Sequence, residues 1–201
     1  MDVVCLDLEG VLVPEIWIEF AELTGIEELR ATTRDVSDYD ALMRQRLGLL
    51  DRHRLSLADV QKVVGAMRPF EGAEGFLNQL RERYQVVILS DTYYEFAGPL
   101  MRHLGWPTLF CHRLETDDAG RVVGYRIRLK DHKRKAVQSF RALNFKVAAA
   151  GDSYNDTGMI EEADAGFFFR APRNVADAFP HIPMVETYPD LYDAIAAAGK
   201  K

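Results

Sequence analysis

The chain predicts an α/β fold, a mainly parallel sheet flanked by helices, with a helical subdomain inserted near its start. Three observations carry that expectation. Short apolar runs recur at Val3–Leu6, Val86–Leu89, Val147–Ala150 and Gly166–Phe169, and such runs suit strands buried on both faces. Helix-period segments separate the later runs, the alternation that links parallel strands through crossover helices. Between the first two runs lie about eighty residues of helical character, far more than one crossover helix requires.

The first run ends abruptly in Asp7-Leu8-Glu9-Gly10, so a buried strand delivers two acids to its carboxyl end, where open α/β sheets bind their ligands. Pro14 suits the first position of the helix that opens the insertion, and Pro69-Phe70-Glu71-Gly72 closes it. The expected division is therefore a core of residues 1–13 and 71–201 with an inserted helical cap at 14–70. A helix from Ala73 to about Arg83 returns the chain to the second strand. Ser90-Asp91-Thr92 follows that strand and suits the cap of a helix from Tyr93 to Leu104, which Gly105 stops. Leu109–Leu129 reads as a hairpin turning at Asp117-Asp118-Ala119-Gly120. Lys130–Lys135 opens a helix whose buried face is Ala136, Val137, Phe140 and Leu143, and Val147–Ala150 is the next strand. A short helix over Leu191–Ala198 ends the chain, with Gly199-Lys200-Lys201 expected to fray.

Composition narrows the function. A 201-residue chain that is 48% hydrophobic can fill a sizeable core. Its net charge of −6 disfavours nucleic acid or an anionic membrane as a general partner. Cys5 and Cys111 sit in apolar runs without CxxC spacing, and the start of the chain is unlike a signal peptide. A cytoplasmic protein is expected.

Several positions each admit two readings. Asp7 and Glu9 form an acidic turn or, as mutually repelling acids at a strand tip, hold a divalent cation such as Mg²⁺. Arg46 projects from the apolar helix face of Tyr39, Leu42, Met43 and Leu50, where it snorkels, pairs with an acid, or anchors a ligand anion. Glu15 satisfies a helix dipole or faces the same cleft as Asp7 and holds an ammonium group. Ser90-Asp91-Thr92 caps a helix or cradles a phosphate. Lys133 lies in a solvated charge run or, opposed by the dipole of its own helix, faces an anion. Gly151-Asp152-Ser153-Tyr154-Asn155-Asp156 is an Asx-rich turn, or a metal site with Asp152 as ligand and Asp156 orienting it.

Asp7-Leu8-Glu9-Gly10-Val11, Ser90, Lys133 and Gly151 through Asp156 together resemble the four ordered motifs of the haloacid dehalogenase superfamily, whose core is Rossmann-like. The helical insertion, Glu15, Arg46, Glu71-Gly72-Ala73 and the hairpin extend the likeness to the phosphoserine phosphatases over nearly the whole chain. Asp7 through Trp17 is similar to a bacterial subgroup that also transfers phosphate to homoserine. The resemblance implies that Asp7 attacks phosphorus, with Mg²⁺ held by Asp7, the Glu9 carbonyl and Asp152, and with Asp156 behind them. It implies that Glu9 is the general acid and base, and that Ser90 and Lys133 bind phosphoryl oxygens. Asn155 and the Asp91 backbone position the substrate, a small phosphorylated amino acid whose ammonium meets Glu15 and whose carboxylate meets Arg46. A role in serine or threonine biosynthesis and a homodimer are the further expectations.

Glu9 departs from the superfamily, which mostly has aspartate there, and the longer acid suggests that an alcohol competes with water for the phosphoryl group. Three rival readings remain: a phosphatase for another small ester, a receiver module in which a phosphorylated aspartate is a signal, and a catalytically silent binder, to which Glu9 lends some weight.

Overall fold

The protein is described by a computed structural model covering residues 1–32, 36 and 38–199. Its centre is strand β1 (Val3–Leu6), which pairs in parallel with β2 (Gln85–Tyr93) on one side and β5 (Val147–Gly151) on the other. With β3 (Thr108–Thr116), β4 (Val122–Arg126), β6 (Ala165–Phe169) and β7 (Met184–Val185), the sheet order is β4-β3-β2-β1-β5-β6-β7. Every pairing is parallel except β3 with β4. The expected α/β class is what the chain adopts.

Alternation along β1 explains why the run is apolar throughout. Val4 and Leu6 join a cluster on one face of the sheet, whereas Val3 and Cys5 join a second cluster on the other. Against the first face pack residues of α1 (Ile16–Thr24), α3 (Leu57–Ala66), α4 (Ala73–Arg81), α5 (Tyr94–His103) and α9 (Tyr188–Ala198). The second face is covered by Val137 of α6 (His132–Ala142), Met159 and Ile160 of α7 (Thr157–Glu162) and Val175 of α8 (Arg173–Ala178). Two-sided burial leaves no place for polar residues until the strand ends.

Between β1 and α4 the chain forms α1, a 3-10 turn at Glu27–Arg30, α2 (Tyr39–Arg52) and α3. Local chemistry bounds these helices: Gly25 ends α1 in the left-handed region at φ 70°, Asp38 caps α2 by accepting from the Ala41 amide, and Ser56 with Asp59 forms a reciprocal capping box on α3. The hairpin tip docks on this insertion, since the Leu57 amide donates to the Gly120 carbonyl at 2.9 Å and the Tyr125 hydroxyl donates to the Asp40 carboxylate.

Several sequence expectations are corrected. The second strand runs on through Tyr93, so Ser90-Asp91-Thr92 does not cap α5, which has no side-chain cap bond at its N-cap Tyr93. Pairing with β3 shows why: Leu89 faces Phe110 while Tyr93 faces His112, so β2 carries two extra residues as a bulge. Pro14 lies two positions before α1, with Glu15 as the N-cap. Leu143, expected in the core, is 67% exposed because α6 ends at Ala142. The last helix begins earlier than expected, at Tyr188, because Thr187 caps it and Pro189 fits its first turn. The fraying expected of Lys200 and Lys201 lies outside the described residues. Among the described residues, no helix is long and apolar enough to cross a membrane.

Gly166 allows α7 to lie against β6: a Cβ there would sit 2.3 Å from the Ile160 carbonyl oxygen. Gly166→Ala is expected to cost about 1–3 kcal/mol through forced separation of helix and strand, measured as a lower urea midpoint at an unchanged m-value.

Candidate active site

The strand tips β1, β2 and β5, together with the start of α6, bring the predicted polar residues together. At the end of β1, Asp7 is 5% exposed and accepts at Oδ1 from the Leu8 amide at 2.7 Å. The chain then turns sharply through Gly10, at φ +78°, where a Cβ would lie 2.3 Å from Asp152 Oδ2. Only glycine lets the first loop come this close to the carboxylate that follows β5.

Lys133, buried in the first turn of α6, is the hub. Its Nζ lies 2.9 Å from Asp7 Oδ1 and 2.8 Å from Asp156 Oδ1, and 3.7 Å from Asp91 Oδ2. Asp156 is wholly buried and engaged at both oxygens, because Oδ2 accepts from the amides of Asp152 and Ser153 at 3.0 Å. Asp7, Asp152 and Asp156 each offer an oxygen within 4.8 Å of the others. Asp7 and Asp156 thus share one ammonium group, with Asp91 just beyond them. Burial, then the charge of Asp156, pushes the Asp7 carboxyl well above its usual range against the pull of Lys133. Burial opposes the charge on Lys133, but Asp156, Asp7 and Asp91 hold its pKa well above the ordinary lysine value. A hard divalent cation such as Mg²⁺ fits this donor set and its excess of negative charge. Asp7 and Asp152 could hold it, with Asp156 bracing the loop from behind.

Ser90 sits in the β2 bulge, 1% exposed, and its Oγ accepts from the Thr92 amide at 3.2 Å. Asn155 donates to Asp91 Oδ2 at 2.7 Å. Two residues that sequence reasoning missed, His112 and His132, face the other oxygen of Asp91. Burial alone would raise the Asp91 carboxyl, yet Lys133, the two histidines and Asn155 hold it well below the usual carboxylate range. No spacing rule links position 112 to position 132. The one usable signal was a histidine inside the basic run beside Lys133.

The insertion supplies the other wall. Arg46 is 8% exposed and lies 4.6 Å above the Trp17 ring, and its Nη2 donates to the Ala31 carbonyl at 2.9 Å. Among the described residues, its buried Nε has no hydrogen-bond partner. Glu9 Oε2 accepts from the Ile16 amide at 2.9 Å. Burial first, and the charge of Glu15 second, push Glu9 up to about 8. All the predicted site residues except Asp156 line one cavity of about 1230 Å³.

Comparison with known proteins bears on the family and the fold. A family model described as haloacid dehalogenase-like hydrolase matches residues 1–164. The chain is 62% identical over 191 residues to phosphoserine phosphatase ThrH of Pseudomonas aeruginosa, covering 95% of this chain and 93% of that protein. It is also 62% identical over its full length to a phosphoserine phosphatase of Pseudomonas syringae pv. tomato, covering 85% of that protein. In fold it resembles the crystal structure of an apo phosphoserine phosphatase, with a TM-score of 0.75 at 21% identity over 93% of this chain and 94% of the other.

The half-buried Glu9 is expected to make stability depend on pH. Its folded pKa of about 8 stands above the ordinary 4.5, so folding favours the protonated form; the contribution is complete below about pH 4.5 and is lost as pH rises through 8. Glu9→Gln, which cannot ionise, is expected to gain on the wild type by about 1 kcal/mol per pH unit across that window. Urea denaturation of both metal-free proteins at pH 5 and 8.5 measures it; an equal difference at the two values would show that Glu9 ionises as an ordinary carboxyl.

Proposed function

The chain belongs to the haloacid dehalogenase-like hydrolase family, and on that premise we propose that it is a Mg²⁺-dependent phosphoserine phosphatase acting through an aspartyl-phosphate on Asp7. The observation that carries this reading is the two-ended cavity. Its floor holds Asp7 beside Lys133, and its roof is formed by the insertion, which presents Arg46 with a buried Nε that has no partner among the described residues. One end suits a phosphoryl group and the other a carboxylate. Residues 14–70 act in this reading as a cap over the core, with Glu15 meeting the substrate ammonium.

The chemistry then follows from the side chains. Asp7 attacks phosphorus, forming a carboxylate–phosphorus bond as the phosphorus–oxygen bond to serine breaks. Glu9 gives its proton to the departing serine oxygen, and a pKa of about 8 means that it arrives protonated at neutral pH. Water next attacks phosphorus; Glu9 takes its proton, the bond to Asp7 breaks, and inorganic phosphate leaves. Ser90 and Lys133 neutralise phosphoryl oxygens throughout, while Asn155 and the Asp91 backbone fix the group's orientation. Asp7, Asp152 and the Glu9 carbonyl would hold the Mg²⁺ ion, which when bound supplies positive charge to the phosphoryl group. The free thiols Cys5 and Cys111, both buried, suit a reducing cytoplasm. A receiver module has no use for this roof.

A panel of phosphorylated small molecules, assayed with and without Mg²⁺, tests the proposal. Phosphoserine is expected to be turned over at least about tenfold better than esters lacking the amino-acid end, a difference of roughly 1.4 kcal/mol. Asp7→Asn is expected to fold normally, lose turnover and show no hydroxylamine-labile phosphate on the protein after acid quenching. Equal turnover of esters without ammonium and carboxylate would overturn the substrate assignment.

Glu9 also supports phosphotransfer. Its extra methylene relative to aspartate moves the acid by about a bond length, enough to change which hydroxyl it activates. Homoserine is proposed as the alternative acceptor. Glu9→Asp is expected to lower the ratio of phosphohomoserine to free phosphate severalfold in assays containing both acceptors; an unchanged ratio would remove the idea.

A further inference from the structure

His112 on β3 and His132 at the start of α6 are both buried, at 3% and 6% exposure, and their rings stand 4.7 Å apart. Their Nε2 atoms lie 3.3 and 3.0 Å from the same atom, Asp91 Oδ1. The Arg128 amide donates to His112 Nδ1 at 3.3 Å, so Nδ1 holds the lone pair and Nε2 holds the proton. An ionised carboxylate only accepts, so His132 also donates through Nε2. The second oxygen, Oδ2, accepts from Asn155 Nδ2 at 2.7 Å and stands 3.7 Å from Lys133 Nζ.

The last distance gives the arrangement its consequence. Lys133 is within hydrogen-bond reach of Asp7 and Asp156 at 2.9 and 2.8 Å, and Asp91 stays outside that reach. Two imidazole donors satisfy the back of the Asp91 carboxylate. Without them, its nearest strong donor would be the ammonium group, and closing that gap would draw Lys133 from Asp7 and release Asn155. The bulge makes this contest possible, because it brings Asp91 into the site from the middle of a strand.

We infer that His112 and His132 are positioning residues for the phosphatase reading on which this rests: by gripping Asp91 Oδ1 they keep Lys133 on Asp7 and the phosphoryl group, and keep Asn155 in place. The three side chains also have the composition of a transition-metal site, with ligand atoms within 4.8 Å of one another. The hydrogen bond from Arg128 argues against that use, since a protonated Nε2 has no lone pair to offer a metal.

The test compares His112→Phe and His132→Phe, which keep an aromatic ring without its donor, with His112→Gln and His132→Gln, which retain an N–H group near Nε2. Each is made in the wild type and with Asp91→Asn. Turnover of phosphoserine with Mg²⁺, the dissociation constant of inorganic phosphate by calorimetry, and thermal melting are measured. Each Phe variant is expected to lower kcat/KM and weaken phosphate binding about tenfold, with the Gln variants within about threefold of wild type. Combined with Asp91→Asn, the Phe substitutions are expected to add almost nothing, because no carboxylate remains to be held. Phe effects that persist in full alongside Asp91→Asn would overturn the inference, as would wild-type activity in the Phe variants. Zinc binding that the Phe variants lose would also overturn it. If the Phe variants do not fold, the Gln pair decides: near wild-type phosphate binding supports the donor role, and a tenfold loss in a folded Gln variant refutes it. A wild type that ignores phosphoserine but binds phosphate overturns the substrate assignment alone, and the same comparison then runs with p-nitrophenyl phosphate. A wild type that does not bind phosphate with Mg²⁺ present overturns both.

Discussion

The buried pairing of Asp7 and Asp156 with the single ammonium of Lys133, with the carboxylate of Asp152 close beside the two acids, is the constraint to which the rest of this structure answers. Carboxylates brought out of water cost several kcal/mol each unless paired or hydrogen-bonded, so the fold must supply partners at atomic spacing. It does so with backbone as much as with side chains. Asp156 is held by two consecutive amides from the loop after β5, and Asp7 by the Leu8 amide. Gly10 and Gly151 are the positions where any side chain would collide with these acids, at 2.3 Å from Asp152 and from Asp156. The two glycines are therefore part of the electrostatic arrangement, since they set how closely the charges can approach.

The sheet supplies rigidity and the irregularities supply aim. β1 and β5 are short, buried and in register, so the positions of Asp7 and Asp152 follow from main-chain pairing. β2 departs from its register with β3 by two residues, and those extra residues carry Ser90 and Asp91 into the cavity. A bulge in a buried strand gives up ladder bonds locally, which is the kind of cost natural folds accept beside active sites.

Much of this was legible in the sequence because apolar runs ending in acids admit few structures. The runs at Val3–Leu6 and Val147–Ala150 required two-sided burial, and burial required that Asp7 and Asp152 lie beyond the strand ends. Arg46 on an apolar helix face was equally readable, because a 3.6-residue period fixes which side chains point inward. What escaped was what depends on non-local pairing. Ser-Asp-Thr reads locally as a helix cap, and only the register with β3 reveals that β2 continues through it. His112 and His132 meet through a strand and a helix far apart in sequence, and periodicity carries no signal for such a meeting. β7, two residues long and held at the sheet edge by β6, is below the length at which alternation can be recognised.

The two ends of the cavity are unbalanced in complementary ways, and this bears on how the insertion and the sheet work together. At the floor, negative charge exceeds positive, and the Asp7 carboxyl is driven well above its usual range by burial and by its acidic neighbours. At the roof, burial pushes the Arg46 guanidinium down despite the opposing charge of Glu9, and its Nε has no partner among the described residues. There the nearby acid Glu9 is committed to the Ile16 amide and shares its surroundings with Glu15. A cation at the floor and an anion at the roof would satisfy both, and a zwitterionic phosphate ester bound with a divalent ion supplies them together. Each end alone offers little discrimination, since the floor suits any phosphate and the roof any carboxylate. Under the proposed function, selectivity resides in the span between Lys133 and Arg46, a span set by how the insertion seats on the sheet and on the hairpin through the Tyr125 and Asp40 contact. A substrate of the wrong length leaves one buried charge unmatched, and unmatched buried charge is penalised more heavily than a missing apolar contact.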